Sequence, residues 1–222
     1  MTIGIGRTES GYKRAIQLNP NYAVAHAWYS LLLAKTGRSD EAVEEAKRAV
    51  ELDPLSLPIN RNLAEAYSSL GQDDMAIEQY RKTLQIEPSF APAQGSLAVL
   101  LILKGRYAEG FSEYEKAVPA IGWEPEQIKA VGDAFRKSGY RDAIQVVIRV
   151  RIERSQRVYV SPYMTGVWYA LIGDSDDAFK WLNKAYEVHD DYLPELGIDP
   201  GMRSLRSDPR YADLLRRIGL PQ

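Results

Sequence analysis

The sequence predicts an all-α superhelix of stacked helix pairs, and three observations carry that prediction. Gly37, Gly71, Gly105, Gly139 and Gly173 stand 34 residues apart at every step. Pro20, Pro54 and Pro88 keep the same step. Small residues recur at fixed offsets from the glycines. Ser30, Ala64, Ala98, Gly132 and Gly166 lie seven residues before them, and Ala42, Ala76, Gly110 and Ala178 lie five after, with Ala143 one residue early in the fourth unit. A helix–turn–helix unit of this length buries its apolar face only against its neighbours, so a fixed period of this size implies a solenoid. Small residues let paired helices approach closely. Each glycine ends a first helix, because a left-handed cap costs it no Cβ clash. Tyr67, Phe135 and Tyr169, four residues before their glycines, are expected to fill the space between neighbouring pairs.

Residues 1–22 read as a partial unit. Residues 1–8 show no helical pattern and are expected to be loose. From Glu9, ESGYKRAIQLNP places Tyr12, Ala15, Ile16 and Leu18 in register with the second helix of a unit whose first helix is missing. Either this helix caps the stack, or the chain is the C-terminal part of a longer protein, which is the reading taken. Tyr12, Ala15 and Ile16 are expected to pack on the next helix. An opposite apolar face would stay uncovered and offer a route to self-association.

Five full units follow, at 23–56, 57–90, 91–124, 125–157 and 158–191. The first two are the most regular. In the second, Leu63, Ala64 and Tyr67 face inward from one helix and Ala76, Ile77 and Tyr80 from the other. The third opens with SLAVLLILKG, apolar almost all round, as in a helix that is buried or faces a partner. Pro119 and Gly122 then predict an irregular step. The fourth carries Ile144, Val146, Val147, Ile148, Val150 and Ile152, all β-branched and weak helix formers. The repeat frame leaves no sheet for a strand to join, so residues 142–154 are predicted helical. The fifth opens with Ser161–Pro162, an N-cap followed by proline at the first helical position. Residues 192–222 read as an irregular bridge, YLPELGIDPGMRSL, and then a capping helix. That helix has Pro209 in its first turn, Tyr211, Leu214, Leu215 and Ile218 inward, and Arg210, Asp213, Arg216 and Arg217 outward.

Composition removes several functional classes. Among 222 residues, Lys plus Arg is 28 and Asp plus Glu is 30, a net charge of −2. That near-balance argues against a surface that tracks phosphates. The basic run Arg149 to Arg157 is local and reads as a solvated helix face. With no cysteine there is no disulfide, thiolate metal site or cysteine nucleophile. No apolar run reaches the roughly 18 residues needed to span a bilayer, and MTIGIGRTES lacks the features of a signal peptide. The expectation is a soluble, cytoplasmic chain, or one on the exported side if it belongs to a membrane-anchored regulator.

Catalytic and metal chemistry find no support in the sequence. His26 lies on the first helix of the first unit and reads as structural, and His189 lies in His-Asp-Asp at a helix end, where an imidazole suits the helix dipole. A metal site at His189 would need further ligands that the sequence does not supply. The run Gly173 to Ala178, GDSDDA, lacks the glycine and final glutamate of an EF-hand and reads as a turn with an N-cap. Glu44 and Glu45 lie on exposed helix faces. No phosphate-binding loop or nucleophile elbow is present. No catalytic, cofactor-binding or metal residue is assigned.

The 34-residue frame over residues 9 to 190 resembles the tetratricopeptide-repeat family. It departs from that pattern at His26, Asn60, Gln94, Ile128 and Pro162, which replace the usual Trp, and at Gly122, where a closing proline is lost. The resemblance implies a right-handed superhelix whose concave groove is lined by positions 2, 5, 6, 9, 12 and 13 of each first helix. It places Trp28, Leu31, Arg61, Asn62, Glu65, Ser96 and Val99 along the groove. The implied function is non-catalytic protein or peptide binding, with a structural role, self-association or packing on an effector domain as the alternative. Trp28 has two readings, a groove hot spot beside Arg61 and Asn62 or a residue packed on the N-terminal helix. The basic clamp that some family members use on C-terminal carboxylates is not implied. Asn62 fits one of its places, but Ala27, Pro92 and Ser96 stand where basic residues would be. Leu196 to Pro200 and Arg206 to Arg210 resemble the closing segment of tetratricopeptide regions in bacterial winged-helix regulators, adenylate cyclases and protein kinases. That likeness implies a module of a regulatory protein. RNA binding is disfavoured, because Lys and Arg form no continuous stripe.

Overall fold

The computed structural model describes residues 5–221, with side chains from residue 8 onward, and is all-α. The helices run α1 (Ile5–Leu18), α2 (Ala23–Lys35), α3 (Ser39–Leu52), α4 (Leu57–Ser69), α5 (Asp73–Ile86), α6 (Ala91–Leu103), α7 (Tyr107–Ala117), α8 (Pro125–Ser138), α9 (Tyr140–Ser155), α10 (Pro162–Leu171), α11 (Ser175–Glu187) and α12 (Pro209–Ile218). Short 3-10 helices cover Val118–Ile121, Leu193–Glu195 and Pro200–Leu205. From α2 to α11, consecutive helices pair two by two; neighbouring pairs stack, and the α6–α7 and α8–α9 pairs meet through Phe111 on Phe135 and Tyr107 on Tyr140.

The turn of each pair follows from its glycine. Gly37, Gly71, Gly105 and Gly173 have φ between 74 and 80°, and the second helix begins two residues later. Gly139 also has positive φ, but its ψ is −170° and α9 starts at the very next residue. This shortened turn is why the small residue of the fourth pair, Ala143, comes one position early. The small residues sit where helices touch. Ser30 donates its hydroxyl to the Ala42 carbonyl at 2.8 Å. A Cβ on Gly110 would lie 2.7 Å from Ile102 Cγ1 and 3.0 Å from the Ala98 carbonyl oxygen.

Residues 142–154 lie within α9. Ala143, Ile144, Val147, Ile148 and Val150 are buried, and Phe111, Tyr114, Trp123 and Trp168 join their cluster. Burial of these side chains, at about 1.5–3 kcal/mol each, outweighs a helix-propensity deficit of a few tenths per residue. Gly122 turns left-handed after Val118–Ile121, the irregular step that Pro119 and Gly122 foretold. Ser161 caps α10, its hydroxyl accepting from Met164 N at 3.1 Å.

Two expectations for the N-terminus are corrected. Helix begins at Ile5, so residues 5–8 are not loose; residues 1–4 lie outside the described residues. Nor, among the described side chains from residue 8 onward, does α1 present an open apolar face. Tyr12 and Ile16 pack on the first core cluster, while its exposed positions are Ser10, Gly11, Lys13, Arg14, Gln17 and Leu18. Only Leu18 among these is a large apolar residue, because α1 is amphipathic with a polar outer side. Tyr29 and Arg38 fasten the helix through Glu9, whose Oε1 accepts from Tyr29 at 3.1 Å and from Arg38 at 2.7 Å. Lys13 pairs with the same carboxylate.

Candidate protein-binding groove

The first helices α2, α4 and α6 present the candidate residues at graded exposure. Val24 and Trp28, one turn apart on α2, are 41% and 53% exposed. Leu31, Arg61, Glu65 and Ser96 are partly covered, and Asn62 and Val99 are buried. Trp28 is therefore not packed into the core. Its neighbour Tyr29 fills that place instead, with its ring 6.4 Å from that of Tyr12.

What covers the deeper end is the chain itself. The bridge between α11 and α12 crosses the inner face of repeats one to three. Lys35 at the end of α2 pairs with Glu195 at 2.7 Å. Ile198 joins the core cluster of Leu33, Leu63, Leu97 and Leu100. A Cβ on Gly201 would lie 2.7 Å from Val167 Cγ1 and 3.6 Å from Val99 Cγ1, so the bridge is held between α10 and the α6 residue expected to line the groove wall. Arg203 ends the contact. Its guanidinium donates to both oxygens of Asp73 at 2.5 and 2.7 Å and to the Ser68 carbonyl at 2.9 Å. A cation is favoured there, because Ser68 lies at the carbonyl end of α4, and the two-pronged pairing adds geometry as well as charge.

Three residues at the groove are electrostatically perturbed. Burial raises the Glu65 carboxyl above its ordinary value, and the adjacent Arg61 guanidinium opposes the rise. Burial lowers Arg61, but the Glu65 charge beside it lifts it further, for a net increase. The two form an ion pair on one face of α4. Burial also raises the Tyr80 hydroxyl, with the charge of Glu65 adding to the rise and that of Arg61 opposing it.

The bridge has a rigid local frame. Asp190 accepts from Ser161 Oγ at 2.7 Å, Tyr163 N at 3.1 Å and Tyr192 N at 2.9 Å. Asp199 accepts from Gly201 N at 2.7 Å and Tyr163 Oη at 2.9 Å. Asp208 caps α12 through Arg210 N at 2.9 Å. Both Asp-Pro steps of the closing segment are thus caps that start a helix. Arg210 then lies over the Phe179 ring at 4.4 Å, and Arg217 over Tyr186 at 4.2 Å.

Sequence reasoning put Lys35 at a groove position without a partner for it, and missed Asp73, Glu195, Ile198, Gly201 and Arg203. The ion pair of Arg203 and Asp73 spans 130 residues, and no local pattern signals a contact at that distance. Elsewhere, His26 is structural, with Nδ1 at 2.6 Å from Glu45 Oε2 and Nε2 at 3.0 Å from the Pro20 carbonyl. His189 is exposed with φ of 54° at the end of α11. Among the described residues, no group of three His, Cys, Asp or Glu could hold a metal ion, and no helix is long and apolar enough to cross a membrane. A cleft of about 740 Å³ lined by Leu84, Gln94, Leu101 and Glu109 lies outside these groove residues.

With its stacked pairs, glycine turns and small-residue contacts, the chain has a tetratricopeptide-type fold, an all-α superhelix. Comparison with known proteins agrees. Residues 8–89 match the family model of the bacterial transcriptional activator domain. A tetratricopeptide repeat protein from Parabacteroides merdae superposes with a TM-score of 0.54 at 14% identity, covering 94% of this chain and 90% of that one. The APC/C hetero-tetramer Cut9–Hcn1 gives a TM-score of 0.58 at 14% identity, covering 96% of this chain and 46% of that one. At these identities the likeness is one of fold. A search of curated proteins finds no match.

Proposed function

We propose that the chain is a non-catalytic protein-binding scaffold that takes a peptide segment of its partner on the inner face of repeat one. The observation that carries this reading is the exposed pair Val24 and Trp28, a large apolar surface left open on the face where Asn62 and Val99 are buried. Tryptophan and arginine dominate binding energy where they occur together. Here Leu31 continues the apolar strip one turn beyond Trp28, and Arg61 lies on the next inner helix. The partner segment is expected to bring an apolar residue for Trp28 and an acceptor for Arg61. We further propose that the chain works as a module of a larger bacterial regulatory protein. The match of residues 8–89 to the bacterial transcriptional activator domain supports that, as does the likeness of Leu196 to Arg210 to the ends of such modules.

A peptide-display selection against the whole chain tests the reading. Selected peptides should lose about 1–2 kcal/mol of affinity on Trp28→Ala or Arg61→Ala, roughly five- to thirtyfold. Trp28→Ala should keep its helical circular dichroism and melting temperature, because the side chain is exposed. Peptides insensitive to both substitutions, or a Trp28→Ala chain that unfolds without a binding change, would refute it.

A further inference from the structure

The covered half of the groove already shows what it can hold. The bridge has two faces. Leu193, Leu196, Met202 and Leu205 root it in the C-terminal core cluster, while Glu195, Ile198 and Arg203 engage the inner face of repeats one to three. Three sockets receive them in order: the ammonium of Lys35, the apolar cluster around Leu63 and Leu97, and the Asp73 carboxylate with the Ser68 carbonyl. Between the second and third, the chain passes Val99 and Val167 at a point where a Cβ would meet Val167 Cγ1 at 2.7 Å, so glycine is required.

We propose that residues 195–203 are a built-in ligand of this groove, and that its external partner is a peptide of the same chemistry. Such a peptide carries a carboxylate, an aliphatic residue three positions on, a glycine at six and an arginine at eight, and it binds when the built-in segment, still rooted in the C-terminal cluster, separates from the inner face of repeats one to three. The proposal rests on the inner face being the binding surface and adds its specificity and its control. Charge complementarity supports it: the cationic socket lies at one end and the anionic socket at the other, so a peptide is accepted in one direction only. The composition of the contact supports exchange. Of the large side chains the bridge turns toward these helices, Ile198 is aliphatic and the other two are ions in partly exposed pairs. Rival side chains of the same kind can replace such contacts.

The chain has no cysteine, so single introduced thiols read the opening directly. Ile198→Cys should react with a thiol reagent under native conditions at least about tenfold faster than Leu100→Cys, which reports core opening. Adding a synthetic peptide of residues 192–206 should raise the Ile198→Cys rate severalfold and leave Leu100→Cys unchanged. The same peptide with Glu195→Ala and Arg203→Ala should do neither. Amide exchange on the unaltered chain, comparing Ile198 and Met202 with α4, gives the same contrast should either variant fold poorly. Equal opening of segment and core, or a peptide without effect on the segment, overturns the proposal. The display selection scores Trp28 and Arg61 while the thiol rates score residues 195–203, so failure of the repeat-one reading is separable from failure of this one.

Discussion

Gly201→Ala is the sharpest probe of how the bridge closes on the groove. In most surroundings this change is neutral or mildly stabilising, because alanine restricts the unfolded chain. Here the added methyl would stand 2.7 Å from Val167 Cγ1 and 3.1 Å from Asp199 Oδ1. Neither neighbour gives way easily. Val167 is 1% exposed, and Asp199 is fixed by Tyr163 Oη and Gly201 N. Overpacking of this kind costs about 1–3 kcal/mol. For a chain of this size each kcal/mol shifts a two-state midpoint by about 2–4 °C, so melting should fall by roughly 2–12 °C. Val167→Ala removes the obstructing methyls. The double variant should therefore be more stable than the sum of the single effects predicts, by about 0.5–3 kcal/mol. Thermal melts of the four chains by circular dichroism measure the coupling. Strict additivity, or a Gly201→Ala chain as stable as the parent, would show that the bridge does not press on α10 as described.

Gly110→Ala should destabilise by about 1–3 kcal/mol despite a helix-propensity gain near 1 kcal/mol, since the Cβ meets the Ala98 backbone oxygen at 3.0 Å; a denaturant melt decides the sign. Arg203→Ala should cost about 1–3 kcal/mol and speed Ile198→Cys labelling more than Leu100→Cys labelling, whereas equal acceleration of both thiols would count against a separable bridge. Glu9 is held near a pKa of about 2 by hydrogen bonds from Lys13, Arg38 and Tyr29. A carboxylate depressed in the folded state stabilises above its unfolded value of 4.5 and loses that contribution as pH falls toward 2. The stability difference between the parent and Glu9→Gln should therefore be largest at neutral pH and shrink below about 4.5. A difference that grows on acidification would contradict the assignment.

The period of 34, the glycine turns, the small residues at helix contacts and the helical state of residues 142–154 were legible in the sequence. Each is fixed by neighbours within one unit or the next, and a repeat prints those constraints at constant spacing. The early Ala143 was visible too, although its cause, a turn with one residue between α8 and α9, appears only in the backbone. Helix at Ile5–Thr8 was not legible, because a short stretch with glycines and threonine carries no periodic signal of its own. The covering of Val99 by the bridge could not be read either. Family geometry assigns groove positions helix by helix, and it cannot say whether a segment a hundred residues further on will lie across them. That outcome depends on how the superhelix curves: the bridge reaches α2, α4 and α6 only because repeats three to five bring it there. The sequence by itself determined the units and their stacking, which are local and repeated. Tertiary structure alone decided that Glu195, Ile198 and Arg203 meet Lys35, the inner core cluster and Asp73, because those contacts are non-local and occur once.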